Sequence, residues 1–323
     1  ASPARVLAQW RQTLSDGLAQ VLADHPAQGV VRALVVGDRS GIPWAQRDVF
    51  RATGTSHLMA ISGLHIGLVA GLAGWLAAGL WRRLPAASAR LPAAHAGVLV
   101  ALVAGLGYAL LAGFTLPTQR AFLMLALAAA ALLALRACRT SGVLALVLVA
   151  VVALEPPALL GASLWLSFGA VALIFCTLSG ARRRWPWWRR VLTLQLGLSV
   201  GLTPVLLLFG LPLAPFGVPA NLLAVPWFGL LVVPASLLGG LGWVLGLPGA
   251  VGLLEVAAEL AIWGVTLLEW LAALAPAGLG LPPPGPLAVL LAVLGLAVLF
   301  APGGLPARWL GAVLLLPMLT TPW

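Results

Sequence analysis

The sequence predicts an all-α fold, a polytopic transmembrane helical bundle of about eight to ten spans with broken helices and interfacial amphipathic helices. Three observations predict it. Hydrophobic residues fill 62% of the 323 positions and charged residues only 8%, where water-soluble domains carry roughly 25% charged. Mean hydropathy is +1.07. Apolar blocks near the ~20 residues that one bilayer crossing needs recur along the chain.

Charge supports the same reading. The formal net charge of +10 comes from 18 arginines, with no lysine, set against eight acids. A pI near 11.7 invites a nucleic-acid interpretation. Ten of the arginines, however, fall in three short loops: Arg82, Arg83 and Arg90; Arg136 and Arg139; and the run "RRRWPWWRR" from Arg182 to Arg190. Such loops are what the positive-inside rule places in the cytoplasm. Cys138 and Cys176 lead into them, on the reducing side, so no disulfide is expected. Two thiols without clustered histidines make no metal site either.

The elements follow in order. Residues 5–22 place Leu7, Trp10, Leu14, Leu18 and Val21 on one stripe, an amphipathic surface helix too polar to cross. A turn at Asp38–Gly41, a short helix and a stop at Gly54 come next. Spans are expected at about 57–80, 92–111, 119–135, 141–154, 158–179 and 190–210. The arginine loops follow the first, third and fifth of these, so residues 1–56 read as a periplasmic entry segment and 57–323 as the transmembrane domain. The span at 141–154 is short enough to need tilt or cover from neighbours. Prolines 212, 215, 219, 226 and 234 predict broken helices after Gly210. In 251–274, Glu255, Glu259, Thr266 and Glu269 share a face flanked by Trp263 and Trp270, which predicts an interfacial helix. Two final spans, 286–301 and 308–320, enclose Arg308.

Polar groups within the apolar blocks are the candidate functional residues. "TSHLMAISGLHIGL" puts His57, Ser62 and His65 at the start of the first span. In a continuous helix the two histidines lie ~12 Å apart, too far to share one metal ion. Gly63, Gly67 and Gly71 recur every four residues, a seam on which another helix can pack closely. Arg120 opens the third span, and an ionisable residue there is a site candidate unless it snorkels outward. Gln195, Ser199 and Thr203 form a stripe on the sixth span, Ser163 and Ser167 one on the fifth, and Asn221 stands in the proline-rich segment. Each alone fits interfacial placement or helix–helix glue. Together they predict a hydrated passage.

"GDRSG", "TGTSHLMAISGLHIGL", "AGFTLPTQRAFLM", "LWLSFGAVALIF" and "ANLLAVP", in this order, resemble the competence domain of the ComEC family, the inner-membrane DNA-internalisation channels of naturally transformable bacteria. The resemblance runs from about Gly37 to Leu245 and departs at Leu164, where relatives often carry Phe. It implies a channel for single-stranded DNA in which Asp38, Arg39, His57, Ser62, His65, Gln119, Arg120, Ser167 and Asn221 occupy motif positions and Gln195 joins the path. It also implies a DNA receptor, an ATP-driven cytoplasmic motor and membrane lipid as partners, with homo-oligomerisation left open. No cofactor and no catalytic residue is expected. Any nuclease would belong to a metallo-β-lactamase-like domain of a longer protein, which relatives add along with an OB-like one. The rivals are a small-solute or lipid transporter and, more remotely, an intramembrane serine protease using Ser62 with His65 or His95.

Overall fold

The computed structural model describes residues 3–134, 140–178, 185–274, 284–300 and 309–320. Arg136, Cys138, Arg139, Arg182, Arg183, Arg184 and Arg308 lie outside the described residues. Helix follows helix, and no strand occurs among the described residues. Among the described residues, six helical runs are long and apolar enough to cross a membrane: Ser56–Trp81, Ala93–Leu111, Leu116–Leu133, Trp187–Leu208, Gly217–Val244 and Ala250–Leu274. Four shorter apolar helices accompany them. The chain divides into two compact units, one of Ala1–Asp48, Ser56–Ala150 and Ala224–Leu267, the other of Val49–Thr55, Val151–Leu223 and Leu268–Trp323.

The first unit begins with α1 (Pro3–Val21) and α2 (Gln28–Val36). Nothing in the sequence reading anticipated α2. Its apolar residues Val30, Val31, Ala33 and Leu34 are fully buried, with Arg32 the one charge among them, and at nine residues it is too short to stand out by period. Gly37 ends it in the left-handed conformation (φ 74°), its N–H returning to the Ala33 carbonyl. After α3 (Trp44–Ala52) and the 3₁₀ turn Ser56–Leu58, α4 (Gly63–Trp81) and α6 (Ala93–Leu111) form a long hairpin whose connection holds α5 (Pro85–Arg90) and the exposed Arg82, Arg83 and Arg90. α7 (Leu116–Leu133) returns beside them, and Ile61, Ile66, Tyr108, Ala109 and Ala112 form a core with Ala121, Phe122 and Leu125 against it.

Close packing in this hairpin follows a different glycine row from the one expected. Gly67 and Gly71 are exposed with no heavy atom within 4 Å of where a Cβ would stand, and Gly63 has only the Ala121 methyl at 3.6 Å. The backbones meet instead at Gly74 and Gly97, where a methyl on either would lie 2.7 Å from the other's carbonyl oxygen. The reason is that α6 offers its own small row, Gly97, Ala101 and Gly105, and this row faces Ala70, Gly74 and Ala78.

The expected break is present at Pro212 and Pro215, which lie in the non-helical stretch between Leu208 and Gly217; past it the chain is one continuous helical run, α11 (Gly217–Trp227) and α12 (Val233–Val244) joined by a π turn at Phe228–Val232. Pro226 and Pro234 each remove a backbone donor, and the wider turn between them re-pairs the ladder, with the Val233 N–H reaching the Phe228 carbonyl. Where the sequence predicts an interfacial helix, α13 (Ala250–Leu274) has the length and hydropathy of a span over its 25 residues, and Leu254, Ala257, Ala258, Ala261, Val265 and Leu268 form a fully buried stripe. Glu255, Glu259 and Glu269 occupy its exposed face, and Glu259 meets His25 at 3.4 Å, so its first turns stand level with the α1–α2 layer.

The second unit contains the end of α8 (Thr140–Leu154), α9 (Ala162–Leu178), α10 (Trp187–Leu208), and α14 (Pro286–Phe300). The last expected span is two short helices, α15 (Trp309–Val313) and α16 (Pro317–Thr320), divided just before Pro317. Leu207, Ala288, Ala292 and Met318 form its core.

Candidate functional site

Side chains from α1, α2 and α3 tie the loop after α2. Asp38 Oδ2 accepts from the Ser15 hydroxyl at 2.6 Å and pairs with Arg32, while its Oδ1 accepts from the Ser40 N–H at 2.9 Å. The Ser15 hydroxyl spends its proton on Asp38 and accepts from Arg32 Nε and Nη2 at 3.1 and 2.8 Å. Partial burial by itself would raise the Asp38 carboxyl; the hydrogen bonds from Ser15 and Ser40 and the Arg32 charge outweigh it and hold the group well below the ordinary carboxylate range. From the other side, Arg47 donates to the carbonyls of Ile42, Arg39 and Ser40 at 2.9, 2.7 and 3.2 Å. The 38–42 loop is thus clamped by two arginines, and the Arg39 side chain projects from it exposed.

Arg11 fixes this layer to the hairpin. Its Nε donates to the Leu111 carbonyl at 2.7 Å and its Nη2 to Val36 at 3.3 Å, which are the last residues of α6 and α2. A guanidinium there satisfies terminal carbonyls and complements both helix dipoles. Tyr108 adds a hydrogen bond to the Leu34 carbonyl at 2.7 Å. Sequence reasoning missed Arg11, Ser15 and Arg32. The available signal was Arg32, a lone charge within the apolar run "GVVRALVV".

His57, Ser62 and His65 do not lie along one helix. His57 is exposed in the 3₁₀ turn, and α4 starts only at Gly63. Ser62 and His65 are the N-cap and third positions of a capping box, in which the Ser62 N–H donates to His65 Nδ1 at 3.2 Å. His65 is 2% exposed and Arg120, in the second turn of α7, 3% exposed. The two helix heads meet at Gly63 and Ala121, where a methyl on Gly63 would lie 3.6 Å from the Ala121 methyl. Gln119 donates to the Phe114 carbonyl at 2.8 Å, holding the turn in which Gly113 and Phe114 both adopt positive φ.

In the second unit, Ser167 on α9 and Gln195 on α10 are half-buried, as is Asn221 on α11. The Asn221 Oδ1 is buried without a hydrogen bond. Thr203 bonds its own helix at the Ser199 carbonyl, 2.7 Å away, so that part of the stripe is helix-internal. Among the described residues no group of three or more His, Cys, Asp or Glu side chains is placed to hold a metal ion.

The family model described as Competence protein matches residues 34–305, which run from within α2 past the end of α14. Competence protein ComA of Neisseria gonorrhoeae is 40% identical over 314 residues, 97% of this chain and 43% of the relative. Uncharacterized protein YcaI of Escherichia coli (strain K12) is 45% identical over 49 residues, 15% of this chain and 6% of its own length. This chain therefore spans less than half the length of the curated relatives it matches. No solved structure matches it. A match from residue 34 to residue 305, together with a relative 40% identical over nearly the whole chain, places this polytopic helical chain in the competence protein family.

Proposed function

We propose that the chain forms the inner-membrane passage through which one strand of DNA enters the cytoplasm during natural transformation. The observation that carries this reading is the competence-family match across residues 34–305, which takes in the Asp38 loop, the heads of α4 and α7 and all six membrane-length helices. Physical chemistry supports it. A single strand carries a charge at every nucleotide, and a bare ion in a low-dielectric core costs several kcal/mol even after relaxation. Its route must therefore be wet and lined by donors sparse enough to release it. Arg39, His57, Gln119, Gln195 and Asn221 are exposed or half-buried and can donate. In this reading residues 1–56 and the heads of α4 and α7 face the periplasm, the Arg82–Arg90 connection faces the cytoplasm, and a DNA receptor and an ATP-driven motor act on either side. The chain itself performs no catalysis.

The test is a strain lacking the protein, given labelled duplex DNA. Cells are expected to bind DNA at the surface and to accumulate no nuclease-protected single strand in the cytoplasm, with uptake restored by the full-length gene. Normal entry of single strands into the deletion strain would refute the proposal and favour a solute or lipid transporter.

A further inference from the structure

The α1–α2 layer contains an open cleft of about 420 Å³, lined by Arg11, Gln12, Ser15, Arg32 and residues Val36–Ser40. Three guanidinium groups and one carboxylate border it, a formal sum of +2 from Arg11, Arg32 and Arg39 against Asp38. These charges are not equivalent. Arg32 is matched by Asp38, and Arg11 is turned towards the carbonyl ends of α2 and α6. Arg39 is exposed, and the described residues supply no partner for its guanidinium. Yet its own backbone is held: its carbonyl accepts from Arg47, and the next N–H donates to Asp38. A flexible surface arginine needs no such scaffold. A rigid loop that presents one cation at the rim of a polar cleft is pre-organised, which lowers the ordering cost when an anion arrives.

We infer that this cleft is a phosphodiester-binding site for single-stranded DNA, with Arg39 as the contacting cation and the Arg32–Asp38–Ser15 cluster as its positioning support. The inference rests on the single-strand reading above and names a site for it. One uncompensated guanidinium suits a strand that must move on: its planar fork matches phosphate geometry, and a single contact leaves the strand releasable. Asp38 does not touch DNA; its carboxylate is committed to Ser15, Arg32 and Ser40 and would repel phosphate if it turned outward.

The experiment measures fluorescence anisotropy of a labelled oligodeoxythymidylate added to the chain in zwitterionic nanodiscs, across a salt series. Arg39→Ala is expected to weaken binding about tenfold, to lower the salt slope by ~0.7 for one lost phosphate contact, and to leave the melting temperature unchanged. Arg39→Lys should recover part of the affinity. Arg83→Ala removes an equal charge from the α4–α6 connection and should bind as the parent does. Equal losses in Arg39→Ala and Arg83→Ala would reduce the effect to net charge and overturn the site. So would equal affinity for an oligomer with an uncharged methylphosphonate backbone, or a lowered melting temperature in Arg39→Ala. If phosphatidylglycerol in the nanodisc displaces the oligomer from the parent, a lipid headgroup is the ligand and the DNA assignment fails. In cells, an Arg39→Ala strain that transforms normally where the deletion strain takes in no single strand sinks the cleft and leaves the passage standing. A deletion strain that still takes in single strands sinks the passage itself.

Discussion

Replacing Gly74 by alanine tests what holds the α4–α6 hairpin together. The added methyl would lie 2.7 Å from the Gly97 carbonyl oxygen and 3.0 Å from the Ala101 methyl, where ordinary contact begins at 3.4 Å. The helices must therefore part by about 0.7 Å at their closest point. Neither neighbour is the end of a flexible side chain, so the strain cannot be relieved by a rotamer change. Overpacking of this kind costs about 1–3 kcal/mol, while the change from glycine to alanine in a helix returns at most about 1 kcal/mol. The net expectation is a loss of about 0–2 kcal/mol relative to the parent, and about 1–3 kcal/mol relative to a glycine-to-alanine change that meets no contact.

Gly67→Ala and Gly71→Ala provide the internal control. They lie on the same helix with the same backbone and nothing within 4 Å, so only the propensity gain remains and they should be neutral or slightly stabilising. Thermal unfolding of the three variants in one detergent, followed by intrinsic tryptophan fluorescence, gives the order directly. If Gly74→Ala melts with or above Gly67→Ala, the backbone contact does not support the hairpin and the reasoning fails.

Two further outcomes follow from the Asp38 loop. Asp38→Asn leaves Arg32 without its counter-charge and should lower stability by about 1–3 kcal/mol at neutral pH, as loss of hydrogen bonds to a charged group does. Because the folded carboxyl titrates well below its unfolded value, its contribution is complete above about pH 4 and fades only as pH falls towards the low folded value. The gap between parent and variant should hold from pH 7 to 5 in thermal melts; a gap that closes in that window contradicts the pairing. Gly37→Ala meets both a left-handed φ of 74° and the Ala112 carbonyl at 2.8 Å. It should cost about 1–2 kcal/mol from backbone conformation alone, and a variant melting with the parent would show that α2 does not end as described.

Span positions were legible because they rest on composition: the expected 92–111 and 119–135 are Ala93–Leu111 and Leu116–Leu133. Features that depend on a partner were not. Both small-residue rows of α4 are visible in the sequence, Gly63–Gly67–Gly71 and Ala70–Gly74–Ala78, and only the matching row on α6 decides between them. Hydropathy set the start of the first span near His57, whereas the helix begins where Ser62 can cap it, five residues on. The glutamates of α13 suggested an interface for the whole helix, although the buried stripe on its other face is what fixes it. Prolines 226 and 234 were read as breaks because the compensating π turn is invisible to residue type.

The motif residues of the 38–42 loop and of the segments leading into α4 and α7 separate by burial into two groups. His65 and Arg120 are 2% and 3% exposed, and the His65 ring already accepts the Ser62 N–H. Such a group cannot also bind a passing phosphate without undoing the first turn of α4, and a buried guanidinium stripped of its surroundings is strongly destabilising. His65 caps the first turn of α4, and Arg120 is buried in the second turn of α7. Arg39 and His57 are exposed, and Arg39 stands on a loop held by Asp38 and Arg47. The two groups separate on substitution. Changes at His65 should lower melting temperature and transformation together, because the support fails first. Changes at Arg39 should lower transformation with melting unchanged, because only the contact is lost; coupled losses at both positions would collapse the division into one structural role.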